Sequence, residues 1–348
     1  MNVILIGCGS IAGTHVRALN ALGHRVTWVV GRNEERTGRF AQEYGIPNHT
    51  TVLSQALSSD AASAHICTPP SSHSELIKEC FLAGKHVISE KPLTLSVPEA
   101  QGLCVLQQKT GRIGAVCLNV RFYPANQEAA DRVREGRIGK PLILSGSYLQ
   151  EFHAPPHDDG WRFNPLESGD QRAISEIGTH WIDLAYAWTG KRVTAVSASL
   201  GNWYPVRYRA DGKLSEDPTG EPVRVDTEDA AAIAFRFEDG GIGAFMLSEL
   251  SRGHFNDLTI ELNGSDGTLR WEEEKADLLT EYENRSLKTR NCGGSEREET
   301  FVRLFREVYA DMEGKKHGPY PMFEDGLYLA RVCAAIRKSG TSGMWVEV

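Results

Sequence analysis

After Met1 and Asn2 the chain runs Val3-Ile4-Leu5-Ile6-Gly7-Cys8-Gly9-Ser10-Ile11-Ala12. Four apolar residues in a row, with no polar alternation, suit a strand buried on both faces, as in a parallel sheet. The run stops at Gly7, and helical spacing follows over residues 11–22. The turn between them fits the dinucleotide fingerprint, with Ala12 in the third glycine's place. Gly7 permits the tight turn and Gly9 lets backbone approach a pyrophosphate. Ser10, Ile11 and Ala12 open a helix whose free N–H groups and dipole favour phosphate. Glycines at turns are common, so the string gains its weight from lying directly between the first strand and the first helix.

Working outward, residues 25–30 read as a second strand, followed by a charged helix through Glu34, Arg36, Phe40 and Tyr44. Residues 64–67 and 86–89 are further short strands, each ended by a proline turn at Pro69-Pro70 or Pro92. Strands alternating with helices imply βαβ units and a doubly wound parallel sheet. After about residue 119 the pattern changes to longer alternating stretches at 142–148, 193–200, 231–237, 243–250, 258–262 and 267–271. Glu238-Asp239-Gly240-Gly241 and Asn263-Gly264 lie between them as turn signals, so this part reads as a large, mostly antiparallel sheet. The expected division is a dinucleotide-binding domain over 1–120 and a substrate-binding and oligomerisation domain over 121–348. A closing helix over about 322–338 is free to pack back on the first domain. The polar segments 208–221 and 284–299 are expected to be surface loops.

The bulk properties exclude several function classes. The 348 residues suit two domains, and 41% hydrophobic with 24% charged residues is ordinary for globular chains. A net charge of -8 argues against a nucleic-acid or anionic-membrane partner, which would need clustered Lys and Arg. Seven scattered cysteines without a CxxC pair suggest reduced thiols, no disulfide frame and no metal site. The start of the chain lacks a signal-peptide pattern and no run reaches membrane-spanning length, so the expected location is the cytoplasm.

Four places carry candidate chemistry. At the end of the second strand, Val30-Gly31-Arg32-Asn33 lacks the acidic residue that would accept from both ribose hydroxyls and favour NAD. Arg32, with Arg36, can instead pair with a 2′-phosphate, which leans the coenzyme towards NADP; the alternative is that Arg32 merely starts an exposed helix. Thr68-Pro69-Pro70 with His73, and Glu90-Lys91-Pro92, fall where the next two strands end. A lysine held there can donate to a substrate hydroxyl and stabilise its alkoxide, although a single Lys-Pro pair is commonly just a turn. In Glu176-Ile177-Gly178-Thr179-His180 the carboxylate and imidazole stand four apart on one helical face. That pairing orients a histidine for general-base work. A solvated Glu–His pair is the bland alternative, and a metal would need a third ligand that the neighbouring sequence does not offer.

Taken together, these strings resemble the Gfo/Idh/MocA family over essentially the whole chain. The matching segments are the glycine-rich start, Ile66-Cys67-Thr68-Pro69-Pro70, Ser89-Glu90-Lys91-Pro92-Leu93, Asn119-Val120-Arg121-Phe122-Tyr123-Pro124 and Phe323-Glu324-Asp325-Gly326, all in family order. The resemblance implies a Rossmann domain followed by an α/β domain whose open sheet is often used for homo-oligomer contacts, so a homodimer or homotetramer is expected. It implies an NAD(P)-dependent oxidoreductase acting on a secondary hydroxyl of a sugar, cyclitol or glycoside. Lys91 and His180 would handle the hydroxyl proton, and Glu176, standing where the family usually has Asp, would orient His180. Thr68, Pro69, Pro70, His73 and Glu90 would shape the coenzyme pocket, and Arg121 and Tyr123 would meet substrate. Trp161-Arg162-Phe163 and Gln171-Arg172-Ala173 resemble the sugar- and glycoside-oxidising branch, which would place Trp161 and Arg162 near coenzyme and substrate. A second implied activity is glycoside hydrolysis by transient oxidation, elimination, water addition and re-reduction. A cofactor-binding regulator without turnover is the third class, disfavoured by the presence of both Lys91 and His180.

Overall fold

The computed structural model describes all residues except 155–159, 212, 216, 217 and 284. The chain divides into two units, Met1–Phe122 with Glu296–Ala330, and Tyr123–Ser295 with Arg331–Val348. In the first unit Val3, Ile4 and Leu5 are fully buried, because parallel strands covered by helices on both faces have no wet side. The strands are β1 (Asn2–Ile6), β2 (Arg25–Val30), β3 (Asn48–Thr50), β4 (Ser63–Ile66), β5 (His86–Ser89) and β6 (Gly114–Val116). They form one parallel sheet in the order β3-β2-β1-β4-β5-β6. The order reverses between β1 and β4, and in open α/β sheets the crevice outside the carboxyl ends at such a point takes the ligand.

The turn after β1 depends on Gly7. Its φ is +108°, and a Cβ there would lie 2.4 Å from the Cys67 carbonyl oxygen that follows β4. The first unit also takes in the helix Arg297–Met312, far along the chain from the 1–120 span read from the sequence. Phe301, Leu304, Phe305, Val308 and Tyr309 recur at helical spacing and join Val3, Leu5, Val16 and Ile88 in one core. The start of the helix Phe323–Ser342 belongs to this unit as well, with Phe323 fully buried beside Phe81.

The second unit is built on a nine-stranded sheet. Its strands are β7 (Pro141–Leu149), β8 (Val193–Gly201), β12 (Ala230–Phe237), β13 (Ile242–Ser248), β14 (Asp257–Gly264), β15 (Gly267–Glu272), β16 (Leu278–Glu283), β17 (Ser286–Asn291) and β18 (Val346–Glu347), in the order β17-β16-β15-β14-β7-β13-β12-β8-β18. Every pairing is antiparallel except β7 with β13, so the sheet is mixed but mostly antiparallel. Helix Thr179–Thr189 covers one face through Trp181, which stacks on Phe245 at 4.2 Å and donates to the Thr259 carbonyl at 2.9 Å.

Both expected loops contain strands. Within 208–221 the chain forms part of a small sheet of β9 (Val206–Ala210), β10 (Lys213–Ser215) and β11 (Glu221–Arg224). Within 284–299 it forms β17, an edge strand, and begins the helix at Arg297. Positions 212, 216, 217 and 284 of these segments lie outside the described residues. All six β17 residues are exposed, so neither face carries the apolar alternation that marks a half-buried strand. Each of the seven cysteines carries a free thiol. No helix among the described residues is long and apolar enough to cross a membrane.

Candidate active site

The carboxyl edge of the parallel sheet collects most of the candidate residues of the first unit. Gly9 is the N-cap of helix Ser10–Ala21, with no side-chain cap, and a Cβ built on it meets nothing within 4 Å. This helix end, oriented N–H groups with open space before them, fits a pyrophosphate. Ser10 is exposed, Ile11 partly buried and Ala12 fully buried against the sheet.

Gly31, the residue after the second strand, is glycine for a steric reason. A Cβ at this position would lie 2.2 Å from Thr37 Oγ1 and 3.3 Å from Cys8 Sγ. Thr37 is itself fully buried and donates to the Asn33 carbonyl at 2.6 Å. The position that carries a carboxylate in many NAD enzymes is thus closed to any side chain by the helix Glu34–Tyr44. Two arginines follow. Arg32 is exposed, whereas Arg36 reaches back to the glycine-rich turn, Nη2 donating to the Cys8 carbonyl at 3.4 Å.

The two proline turns are joined by one imidazole. His73 is fully buried, its Nε2 2.8 Å from the Thr68 carbonyl and its Nδ1 2.9 Å from the Pro92 carbonyl. Burial pushes its pKa down, against the pull of those two carbonyls and of Glu90. His73 was expected to touch coenzyme; its two nitrogens instead bridge the turns that present Thr68, Pro69 and Pro70 on one side and Lys91 on the other. Ser72 Oγ tightens the first turn by donating to Thr68 Oγ1 (2.7 Å) and the Pro69 carbonyl (2.9 Å). Glu90 faces inward, Oε1 accepting from His15 Nε2 at 3.1 Å and Oε2 from the Lys91 amide at 3.3 Å. His15 escaped the sequence reading. The available signal was a histidine on the buried face formed by Ala12, Val16 and Leu19.

In the second unit, Trp161-Arg162-Phe163 forms a single 3-10 turn. The Arg162 guanidinium lies 4.6 Å from the Trp161 ring centre, and its Nε donates to Glu176 Oε2 at 3.0 Å. Glu176, expected to orient His180, gives its Oε2 to this ion pair with Arg162. It stands in a π-helical turn, Ile174–Gly178, where a plain α-helix was expected, and such turns are frequent at functional sites. His180 follows in helix Thr179–Thr189, 3% exposed, with its ring edge-on to Tyr148 at 6.3 Å. Tyr123, expected at the substrate, packs on Trp271 and donates its hydroxyl to Glu273 Oε1 at 3.2 Å, so that hydroxyl is engaged inside the second unit. Arg121 lies in the 3-10 turn Asn119–Phe122 and is partly buried.

Behind the π turn lies a buried charge cluster that the sequence did not announce. Arg172 is fully buried and pairs with Asp229 and with Glu249, Nη1 to Oε2 at 2.6 Å. Glu228 Oε1 accepts from the amides of Arg172 and Ile174, both at 2.9 Å, which fixes the backbone leading into the π turn. Arg207 and Arg172 sandwich the Phe163 ring at 4.3 and 4.7 Å. Burial raises Glu249 to about 7 despite Arg172, and burial with Arg172, Arg162 and Arg207 lowers His153 to about 3.

Comparison with known proteins names this pair of half-sites. The pattern of the oxidoreductase family with an NAD-binding Rossmann fold matches residues 1–117, and that of the GFO/IDH/MocA C-terminal domain matches residues 126–270. The chain belongs to the Gfo/Idh/MocA family. Like its kin it is an oxidoreductase with an NAD-binding Rossmann fold. Levoglucosan dehydrogenase of Pseudarthrobacter phenanthrenivorans is 28% identical to this family member over 100% of the chain and 98% of its own length. The 1,5-anhydro-D-fructose reductase of Ensifer adhaerens is 26% identical over 99% and 97%. A solved levoglucosan dehydrogenase in complex with NADH and levoglucosan superposes with a TM-score of 0.91 at 27% identity, covering 100% of this chain and 99% of that one.

Proposed function

We propose that this oxidoreductase transfers a hydride between nicotinamide and a secondary hydroxyl carbon of a sugar, cyclitol or glycoside. The likeness that carries this reading is the end-to-end match to levoglucosan dehydrogenase, whose solved complex holds NADH and levoglucosan. Nicotinamide, when bound, supplies the two-electron acceptor for the hydride. In our reading Gly7, Gly9, Ser10, Ile11 and Ala12 hold the pyrophosphate, while Thr68, Pro69, Pro70, Glu90, Trp161 and Arg162 line the coenzyme pocket. The alcohol carbon loses its hydride to the ring and its O–H proton to the protein, leaving a ketone. Lys91 donates to the hydroxyl oxygen and steadies its developing negative charge, and His180 takes the proton. Glu176 and Arg162 act as one ion pair beside His180's helix, and Arg162 meets the substrate.

The decisive test is turnover with levoglucosan and myo-inositol, followed as coenzyme reduction, in the wild type and in Lys91→Ala and His180→Ala. Each variant should lose roughly a hundred- to ten-thousand-fold in kcat while still binding NADH. A His180→Ala enzyme within a few-fold of wild type makes that histidine structural. Glycoside cleavage is the weaker reading, since the named relatives are dehydrogenases and reductases; aglycone release without net coenzyme reduction would reinstate it.

On coenzyme, we infer that NADP is accepted alongside NAD and moderately preferred. Gly31 leaves no carboxylate to repel a 2′-phosphate, and Arg32 and Arg36 flank the turn. A wild type that prefers NAD tenfold in kcat/KM, a difference of about 1.4 kcal/mol, refutes this. We also infer a homodimer or homotetramer assembled on the nine-stranded sheet. A shallow depression of about 440 Å³ lined by small side chains such as Ser145, Ser197, Ala232 and Ala244 lies on it, with Met246 and Ile242 exposed. A monomer by light scattering removes that inference. The free thiols suit the reducing cytoplasm.

A further inference from the structure

We propose that His15 is a positioning residue for this reaction, acting through Glu90 on Lys91 as the end of a one-directional chain of buried hydrogen bonds. The inference rests on the reading of Lys91 as the active-site lysine. Five side chains from different segments of the first unit form the chain. Ser63 Oγ lies 2.8 Å from Tyr309 Oη, which lies 3.0 Å from His65 Nε2. His65 Nδ1 lies 2.9 Å from His15 Nδ1, and His15 Nε2 lies 3.1 Å from Glu90 Oε1. Ser63, His65 and His15 are fully sealed from solvent and Tyr309 nearly so, so no water replaces a missing partner.

Counting donors leaves little freedom. Glu90 Oε2 accepts from the Lys91 amide, which directs the carboxylate to accept at both oxygens. With both rings neutral, His15 carries its proton on Nε2 and accepts at Nδ1. His65 must carry its own on Nδ1 and accept at Nε2 from the Tyr309 hydroxyl, whose oxygen accepts from Ser63. Every bond is satisfied with both histidines neutral. Burial holds His65 far below the ordinary histidine range, and holds the Tyr309 hydroxyl protonated. All four donors point towards Glu90, and dipoles aligned in a row strengthen one another at low dielectric. Reversing the His15–His65 bond reverses those behind it and requires His15 to be a charged imidazolium that donates at both nitrogens. The thiols of Cys67, 3.3 Å from His15 Nδ1, and Cys117, 3.8 Å from His15 Nε2, complete the lining, and burial raises the pKa of both. His15, Glu90 and Cys117 lie close enough together to hold a cation. The hydrogen-bonded assignment uses the same His15 Nε2, so the two are mutually exclusive.

The consequence falls on Lys91. Its amide donates to a carboxylate whose other oxygen is held by His15 of helix Ser10–Ala21. His73 ties the next carbonyl, that of Pro92. The backbone carrying the lysine is therefore anchored on both sides.

The test has two arms. In protein labelled with 15N-histidine, the ring nitrogen shifts near neutral pH should identify His15 as the Nε2–H tautomer and His65 as the Nδ1–H tautomer. The opposite tautomers, a charged ring on either residue, or stoichiometric zinc lost in Cys117→Ala overturn the proposal. In kinetics with levoglucosan or myo-inositol, whichever the wild type oxidises, His15→Leu should lose tenfold or more in kcat with KM and the NADH Kd within threefold. His15→Gln, which keeps a donor for Glu90, should recover to within threefold of wild type. A His15→Leu enzyme with wild-type kcat refutes the positioning role, provided Lys91→Ala is inactive. If Lys91→Ala is itself active, the reading of the lysine fails and this inference fails with it.

Discussion

Replacing Arg172 with methionine tests the charge cluster behind the π turn. Methionine keeps much of the length and removes the charge, leaving Asp229 and Glu249 facing a sealed interior. Both buried carboxylates lose their shared cation, and neutralising one with a proton instead has a cost set by pH. An aspartate that titrates near ~3.9 in water costs about 5 kcal/mol to neutralise at about pH 7.5, at 1.36 kcal/mol per unit. Glu249 already sits at about 7, because burial outweighs Arg172, so its proton adds less than about 1 kcal/mol. Arg207, 3.8 Å from Asp229, offsets part of this. The expected loss is about 4–5 kcal/mol, in the range for stranding one side of a buried ion pair. It should shrink by about 1.4 kcal/mol per unit of acidification, leaving about 2 kcal/mol near pH 5.5. Urea unfolding of both proteins at three pH values, followed by tryptophan fluorescence, measures the difference directly. A loss below about 1 kcal/mol, or one that does not change with pH, would mean that Arg172 is not the counter-ion of these carboxylates.

His153 should make the protein acid-sensitive. Its folded pKa of about 3 lies below the ordinary 6.5, so the unfolded chain binds a proton that the folded one refuses. Stability is therefore lost as pH falls from 6.5 towards 3, by about 1.4 kcal/mol per unit for this one residue. His153→Gln should flatten the pH dependence of the unfolding free energy by that slope between about pH 6 and 4.5; an unchanged slope counts against it. Gly31→Asp should not create an NAD-specific enzyme. Its Cβ would press on Thr37 Oγ1, so the Tm should fall by the equivalent of about 1–3 kcal/mol and coenzyme binding should weaken. Adding Thr37→Ala opens the space and should restore the Tm while shifting kcat/KM towards NAD; a stable, NAD-selective single variant would disprove the steric argument.

The sequence by itself determined the elements whose information is local. Val3 to Ile6 reads as a parallel strand because burial on both faces demands an unbroken apolar run. The turn at Gly7 reads as a tight strand-to-helix turn because a glycine ends the apolar run just before helical spacing begins. The alternating stretches of the second unit were legible for the same reason, since one wet face imposes period two. What only the tertiary structure decided is pairing across sequence distance. Nothing in residues 297–312 says that their apolar stripe completes the core around Val3 rather than one nearby in the chain. The strands inside 208–221 and at 286–291 were hard to read because they are short and mostly polar, and the apolar partners of Leu214, Phe163 and Val225, meet it only in the folded chain. Glu176 shows the limit most clearly. Spacing put it four residues before His180 but could not announce Arg162, fourteen positions back, whose Nε donates to Glu176 Oε2 at 3.0 Å, since only folding brings that cation within reach.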